Sequence, residues 1–179
     1  HIVSDTPVDE CGPELDAHAY AERFVAHNRP VVVRGALDST ATFSRAALRG
    51  SAGHIVVPVI CAPEGSSRLD TETGRPLHGS LQLRLADYLD EGASTRLIQQ
   101  LPLATLPDLL AQLTAPRIKP DITDAVAHLW ISPAGSSTML HFDTPENLLL
   151  QFEGRKAVRL YSPEQTRWLY PRPASGTGA

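Results

Sequence analysis

A chain of 179 residues has room for one domain with a real core, and length alone argues against two. Its 42% hydrophobic and 20% charged residues are ordinary for a soluble globular protein, and a formal net charge of -4 leaves no basic surplus for reading nucleic acid. No apolar run approaches the ~20 residues that span a bilayer.

Cys11 and Cys61 are the two cysteines, without a Cys-x-x-Cys pattern, so they read as free thiols rather than a disulfide framework or zinc knuckle. The chain starts at His1 rather than Met, which reads as a processing boundary, and shows no signal-peptide h-region. The default expectation is a cytoplasmic protein.

Residues 14–27 predict an amphipathic helix, with Leu15, Ala19, Phe24 and Val25 near one face. Pro30 disfavours helical geometry at Arg29 and ends it. Val31, Val32 and Val33 then predict a short buried strand closed by Gly35. Ser39 or Thr42 is placed to cap a second helix running through Leu48 and stopped by Gly50. The β-branched run at 54–62 predicts a strand. Pro58 within it implies an edge or a bulge, because proline donates nothing to a ladder. Residues 70–76 (DTETGRP) read as a hairpin tip. A short helix at 85–89 ending near Gly92, a strand at 97–100 and a helix at 106–113 with Pro107 in its first turn follow.

From Ala127 the pattern changes to strands and turns. Strands are expected at 128–132 and 138–143 around a Pro133-Ala134-Gly135 turn. Two more, at 147–152 and 156–161, flank a tight Glu153-Gly154-Arg155 connection. The tail at 171–179 is small, polar and structureless by composition. Helices first and an antiparallel β region later indicate an α+β domain or a decorated β-barrel.

The chemistry concentrates in SSTMLHFDTPENLLLQFEGRK, residues 136–156. In an extended segment His141 and Asp143 point to one face and could grip a metal ion from one side. They would be two-thirds of the 2-His-1-carboxylate triad of non-haem Fe(II) oxygenases, which leaves positions open for substrate and O2. A lone His-x-Asp is a weak signal. Here Thr138 precedes it, Asn147 follows on the next extended run, and Lys156 opens the run after Gly154, able to reach an anionic ligand. The bland alternative is a surface Asp143–Lys156 pair beside a half-buried structural histidine.

The segment resembles the cupin-like JmjC-domain Fe(II)/2-oxoglutarate-dependent hydroxylases, in particular the branch containing the asparaginyl hydroxylase that inhibits hypoxia-inducible factor. The family's strand, glycine turn, threonine before His-x-Asp, asparagine, Gln-x-x-Gly-x-Lys hairpin and Leu-Tyr-Pro element read here as His128-Leu129-Trp130-Ile131, Gly135, Thr138, His141-Phe142-Asp143, Asn147, Gln151 to Lys156 and Leu169-Tyr170-Pro171. Arg29-Pro30-Val31-Val32-Val33-Arg34-Gly35 also looks like its N-terminal strand. The likeness is dense over 129–171 and diffuse before.

The resemblance implies a double-stranded β-helix (jelly-roll, cupin-like) core with N-terminal helices. Residues 1–126 would flank the barrel, 127–171 form its first part, and 172–179 be a flexible tail or break point. It implies His141 and Asp143 as iron ligands and catalytic residues. Lys156 would pair with the distal carboxylate of 2-oxoglutarate, helped by Thr138, and Asn147 would lie near the co-substrate or just behind the metal ligands. A tyrosine that some relatives place on an earlier strand has no match at 54–62. The implied reaction is hydroxylation of a C–H of a peptide, protein or small molecule, with release of succinate and CO2. No membrane is involved, nucleic acid is disfavoured, and there is room for a homodimer.

The departure is the distal histidine, since none follows His141. His54, His78 and His128 are upstream candidates, although the family places no ligand at the position of His128. The expectation is a chain incomplete at its C-terminal side. A non-catalytic cupin-like binding module is the alternative function. A metal-binding isomerase or lyase is a third, and Thr138 and Lys156 argue against it.

Overall fold

A computed structural model describes residues 6–37, 41–62, 66–67, 79–92, 95–120, 127–143 and 146–169. The expected hairpin tip at 70–76, the candidate cap Ser39, the candidate ligand His78, the Tyr170-Pro171 part of the Leu-Tyr-Pro element and the tail lie outside these residues.

Strand β1 (Asp9–Cys11) pairs in parallel with β2 (Val31–Val33), in the register Asp9–Val31 to Cys11–Val33. Between them runs α1 (Ala17–Arg23), started by the Asp16 carboxylate accepting from the Ala19 amide at 2.8 Å. A 3-10 turn over Val25–His27 continues it, so the expected helix at 14–27 is present in two pieces. Asn28, left-handed at φ 51°, closes it. Leu15, Phe24 and Ile118 bury a small satellite cluster here. Arg34 pairs with Glu10 at 2.7 Å and holds that carboxyl below the usual carboxylate range. Both groups are exposed, so the pair orients the strands more than it stabilises them.

The second helix, α2, spans Arg45–Ala52. Ser44, not Ser39 or Thr42, is its cap, accepting from the Ala47 amide at 3.3 Å. Gly50 does not stop it. A glycine inside a helix costs only about 1 kcal/mol against alanine, and buried Leu48 and Ala52 on the core face outweigh that. At Gly53, just after the helix, a Cβ would lie 2.1 Å from the Arg49 carbonyl and 3.0 Å from the Ala86 Cβ. That gap lets α3 (Leu85–Glu91) pack close, its Ala86 amide donating to the Gly53 carbonyl at 2.9 Å.

The main sheet has the order β5 (Ser80–Arg84), β3 (Val56–Cys61), β6 (Arg96–Pro102), β7 (His128–Ile131), all antiparallel. Pro58 sits in β3, inside the strand order, yet keeps the edge character its chemistry demands. The Cys61 amide and the Ile55 carbonyl both bond toward β5. Backbone groups alternate sides along a strand, so the Pro58 nitrogen points away from β5. On that side β6 pairs only with Ile60 and Cys61, and no donor is missed.

Val57, Val59, Leu85, Ile98, Leu101, Leu106 and Leu109 fill the core between one sheet face and the helices. The expected helix at 106–113 is shorter: a 3-10 turn over Leu103–Thr105 leads into α4 (Pro107–Leu110). Helices and an antiparallel sheet together make an α+β domain. No described helix is long and apolar enough to cross a membrane.

Past β7 the expectation of further strands fails in part. Strand β8 is only Ser137–Thr138, in parallel register with β4 (Ser66–Ser67). Residues 139–143, 147–152 and 156–161 form no ladder among the described residues. The turn between the last two is real, with Gly154 at φ 76°. Alternating apolar residues mark a surface that can be half-buried in a sheet, but pairing needs a neighbour. Leu149, Val158 and Leu160 are instead more than half exposed, at 53%, 58% and 58%.

Tyr88 locks β6 to β7. Its hydroxyl shares one proton between the Arg96 carbonyl at 3.2 Å and the Ile131 carbonyl at 3.1 Å, beside the irregularity between Ile98 and Leu101. Burial pushes the phenol up to about 12, against an ordinary 10.0, with Arg45 partly offsetting the effect. An unfolded chain therefore loses this proton first, and folded stability declines as pH rises from about 10 toward 12. Tyr88→Phe should cost about 1 kcal/mol at neutral pH and flatten that alkaline decline, as read by denaturant melts from pH 8 to 11.

Candidate functional site

Strand β7 sets the site's floor. Alternation sends Leu129 and Ile131 into the core and leaves His128 and Trp130 on the opposite face. Over the Trp130 ring lies the Lys156 ammonium, 5.6 Å from the centroid, within the range of a cation–π contact. The sequence reading missed Trp130 as a partner of Lys156, although the alternation within 128–131 already separates it from the core.

His141 and Asp143 sit on an exposed, irregular segment rather than the expected strand. Each is braced by a neighbour. The His141 Nδ1 lies 2.8 Å from the Met139 carbonyl oxygen. A carbonyl only accepts, so Nδ1 carries the proton, and in the neutral ring the lone pair is then on Nε2. That is the tautomer a metal-binding histidine presents, with the second nitrogen fixed by a carbonyl. Asp143 Oδ2 accepts from the Asn147 side-chain amide at 2.7 Å, and Oδ1 takes no part in that bond. Of the two places expected for Asn147, the contact is to the Asp143 carboxylate itself.

Thr138 ends β8 opposite Ser67, with its side chain exposed. The structure brings together Asp143 with Asn147, and Lys156 with Trp130. It does not gather a complete triad: among the described residues no three His, Cys, Asp or Glu side chains group where they could hold one metal. By donor chemistry alone, an imidazole nitrogen and a carboxylate oxygen are of the kinds that a non-haem Fe(II) centre uses.

Lys156 reaches its place through a clamp that the sequence reading also missed. Phe152 stacks on Phe43, with centroids 4.2 Å apart and planes at 24°. Next to it, the Glu153 carboxylate accepts from the Arg45 amide at 2.8 Å. Beside a turn glycine, Glu153 carries no local signal that distinguishes it from a solvent-facing acid.

The model of the cupin-like domain family matches residues 17–179. The chain belongs to that family. Lysine-specific demethylase 8 of Danio rerio is 30% identical over 164 residues, covering 83% of this chain and 38% of that protein. Its Xenopus tropicalis counterpart is 26% identical over 164 residues, covering 87% and 36%. JmjC domain-containing protein D of Dictyostelium discoideum is 45% identical over 42 residues, 24% of this chain and 9% of that protein. The chain spans under two-fifths of the length of both demethylases. JmjC proteins are a cupin-like group of Fe(II)- and 2-oxoglutarate-dependent oxygenases. The resemblance read from residues 129–171 is thereby upheld at the level of the family.

Because Gly154 turns at positive φ, Gly154→Ala should cost about 1–2 kcal/mol of backbone strain even though no atom lies within 4 Å of the new Cβ. A lowered thermal midpoint checks this.

Proposed function

We propose that this domain carries an iron and 2-oxoglutarate site and belongs to an oxygenase that hydroxylates a C–H of a peptide, protein or small molecule, releasing succinate and CO2. The observation that carries the reading is the His141–Asp143 pair, with one donor atom of each left for metal by a bond at its other atom. In this reading the four-stranded sheet is part of a double-stranded β-helix, with 127–171 as the first part of the barrel and 1–126 flanking it. The relatives named lysine-specific demethylases support a protein substrate bearing a modified lysine.

Each residue has a distinct task. The His141 Nε2 and the Asp143 Oδ1 would hold Fe(II), which when bound supplies the O2 chemistry. Asn147 keeps the carboxylate from rotating. Lys156 pairs with the distal carboxylate of 2-oxoglutarate through a charge-assisted hydrogen bond, and the Thr138 hydroxyl donates to the same group. Before that carboxylate arrives, the Trp130 face holds the ammonium in place, which reduces the freedom lost on binding.

Asp143→Ala should abolish both the visible absorption band of Fe(II) with 2-oxoglutarate and any succinate formation at saturating iron. A band of wild-type strength would sink the ligand assignment. Lys156→Ala should raise the 2-oxoglutarate requirement far more than the iron requirement, and equal rises would make Lys156 structural. The exposure of His141 and Asp143, and the lack of a third gathered donor among the described residues, favour a second reading: a cupin-like binding module without turnover. Co-substrate binding without succinate formation at saturating iron would select it.

A further inference from the structure

We infer that Glu153 is a positioning residue for Lys156, coupling the first turn of α2 to the co-substrate end of the site. This deepens the proposed function and rests on it only for the identity of the anion that Lys156 binds.

The first N–H groups of any helix lack partners within the helix. In α2, Ser44 takes the Ala47 amide and the Glu153 carboxylate takes the Arg45 amide at 2.8 Å. A carboxylate suits that end of the helix because the peptide dipoles leave it partly positive. Three further features hold Glu153 in register. Phe152 stacks on buried Phe43. The Gln151 side-chain amide donates to the Glu153 carbonyl at 2.7 Å. Gly154 then turns the chain sharply at φ 76°, so Lys156, two residues on, lies over Trp130.

The chain at 147–161 has no ladder to hold it among the described residues. Leu148 ties its start to the Leu15, Phe24 and Ile118 cluster, and next to the Gly154 turn it is held by Phe152 and Glu153. The aromatic stack fixes depth but leaves the turn at Gly154 free to pivot about the ring. The Glu153–Arg45 bond removes that pivot, and with it the freedom of Lys156 to leave the Trp130 face.

The test uses the full chain with Trp168→Phe, so that Trp130 is the sole indole and its emission reports the cation above it. Lys156→Ala sets the emission of an uncovered ring. Glu153→Ala should move emission most of the way to that value without ligand, and Glu153→Gln, which still accepts from the Arg45 amide, should restore it. With Fe(II) under anaerobic conditions, Glu153→Ala should weaken 2-oxoglutarate binding roughly tenfold, as outer-shell supports commonly do. Unchanged emission in Glu153→Ala overturns the inference, including where its melting temperature falls, since Glu153 would then be structural only. If emission follows the pattern but the unaltered chain binds no 2-oxoglutarate, the positioning role stands and the co-substrate assignment falls.

Discussion

Burial of one face of the main sheet against α2, α3 and α4 is the constraint on which the rest depends. The helices cover a single face, and every strand must decide which alternate residues enter it. Strand β7 commits Leu129 and Ile131 to the core, which forces Trp130 outward. Lys156 takes its station on that outward ring. A one-residue slip of β7 would bury His128 and Trp130, expose two aliphatic side chains and remove the platform under the cation. Tyr88 guards this register, since its hydroxyl touches the carbonyls of both β6 and β7.

The site therefore has two halves with different supports. Lys156 and Trp130 depend on the sheet register and on a contact to α2. His141 and Asp143 depend on bonds to residues no more than four positions away, Met139 and Asn147. Local bonds of that kind set tautomer and carboxylate orientation without help from the core.

How much of this was legible in the chain follows from the range of each interaction. The strand at 128–132, the Gly135 turn, the 85–91 helix with its Gly92 ending and the His-x-Asp pair were readable because each depends on neighbours in sequence. The start of α2 was misplaced because Ser39, Thr42 and Ser44 satisfy the same cap chemistry, and only packing of Leu48 and Ala52 selects the last. The runs at 138–143, 147–152 and 156–161 read as strands because alternation reports a face that could be covered. It cannot report whether a partner strand lies beside it. Trp130 and Glu153 escaped for the complementary reason, as their partners come from distant segments.

The Glu153–Arg45 bond joins residues 108 apart in sequence. Contacts that close long loops cost more chain entropy than local ones, and they are made after the local structure around them. Helix α2 and the Gly154 turn can each form early, but their union waits until the sheet between them is in place. The segment bearing Lys156 should thus settle late and open early. Amide exchange in 147–161 should fall at the low-protection end of the molecule, and ligand at the site would act as a late folding fastener.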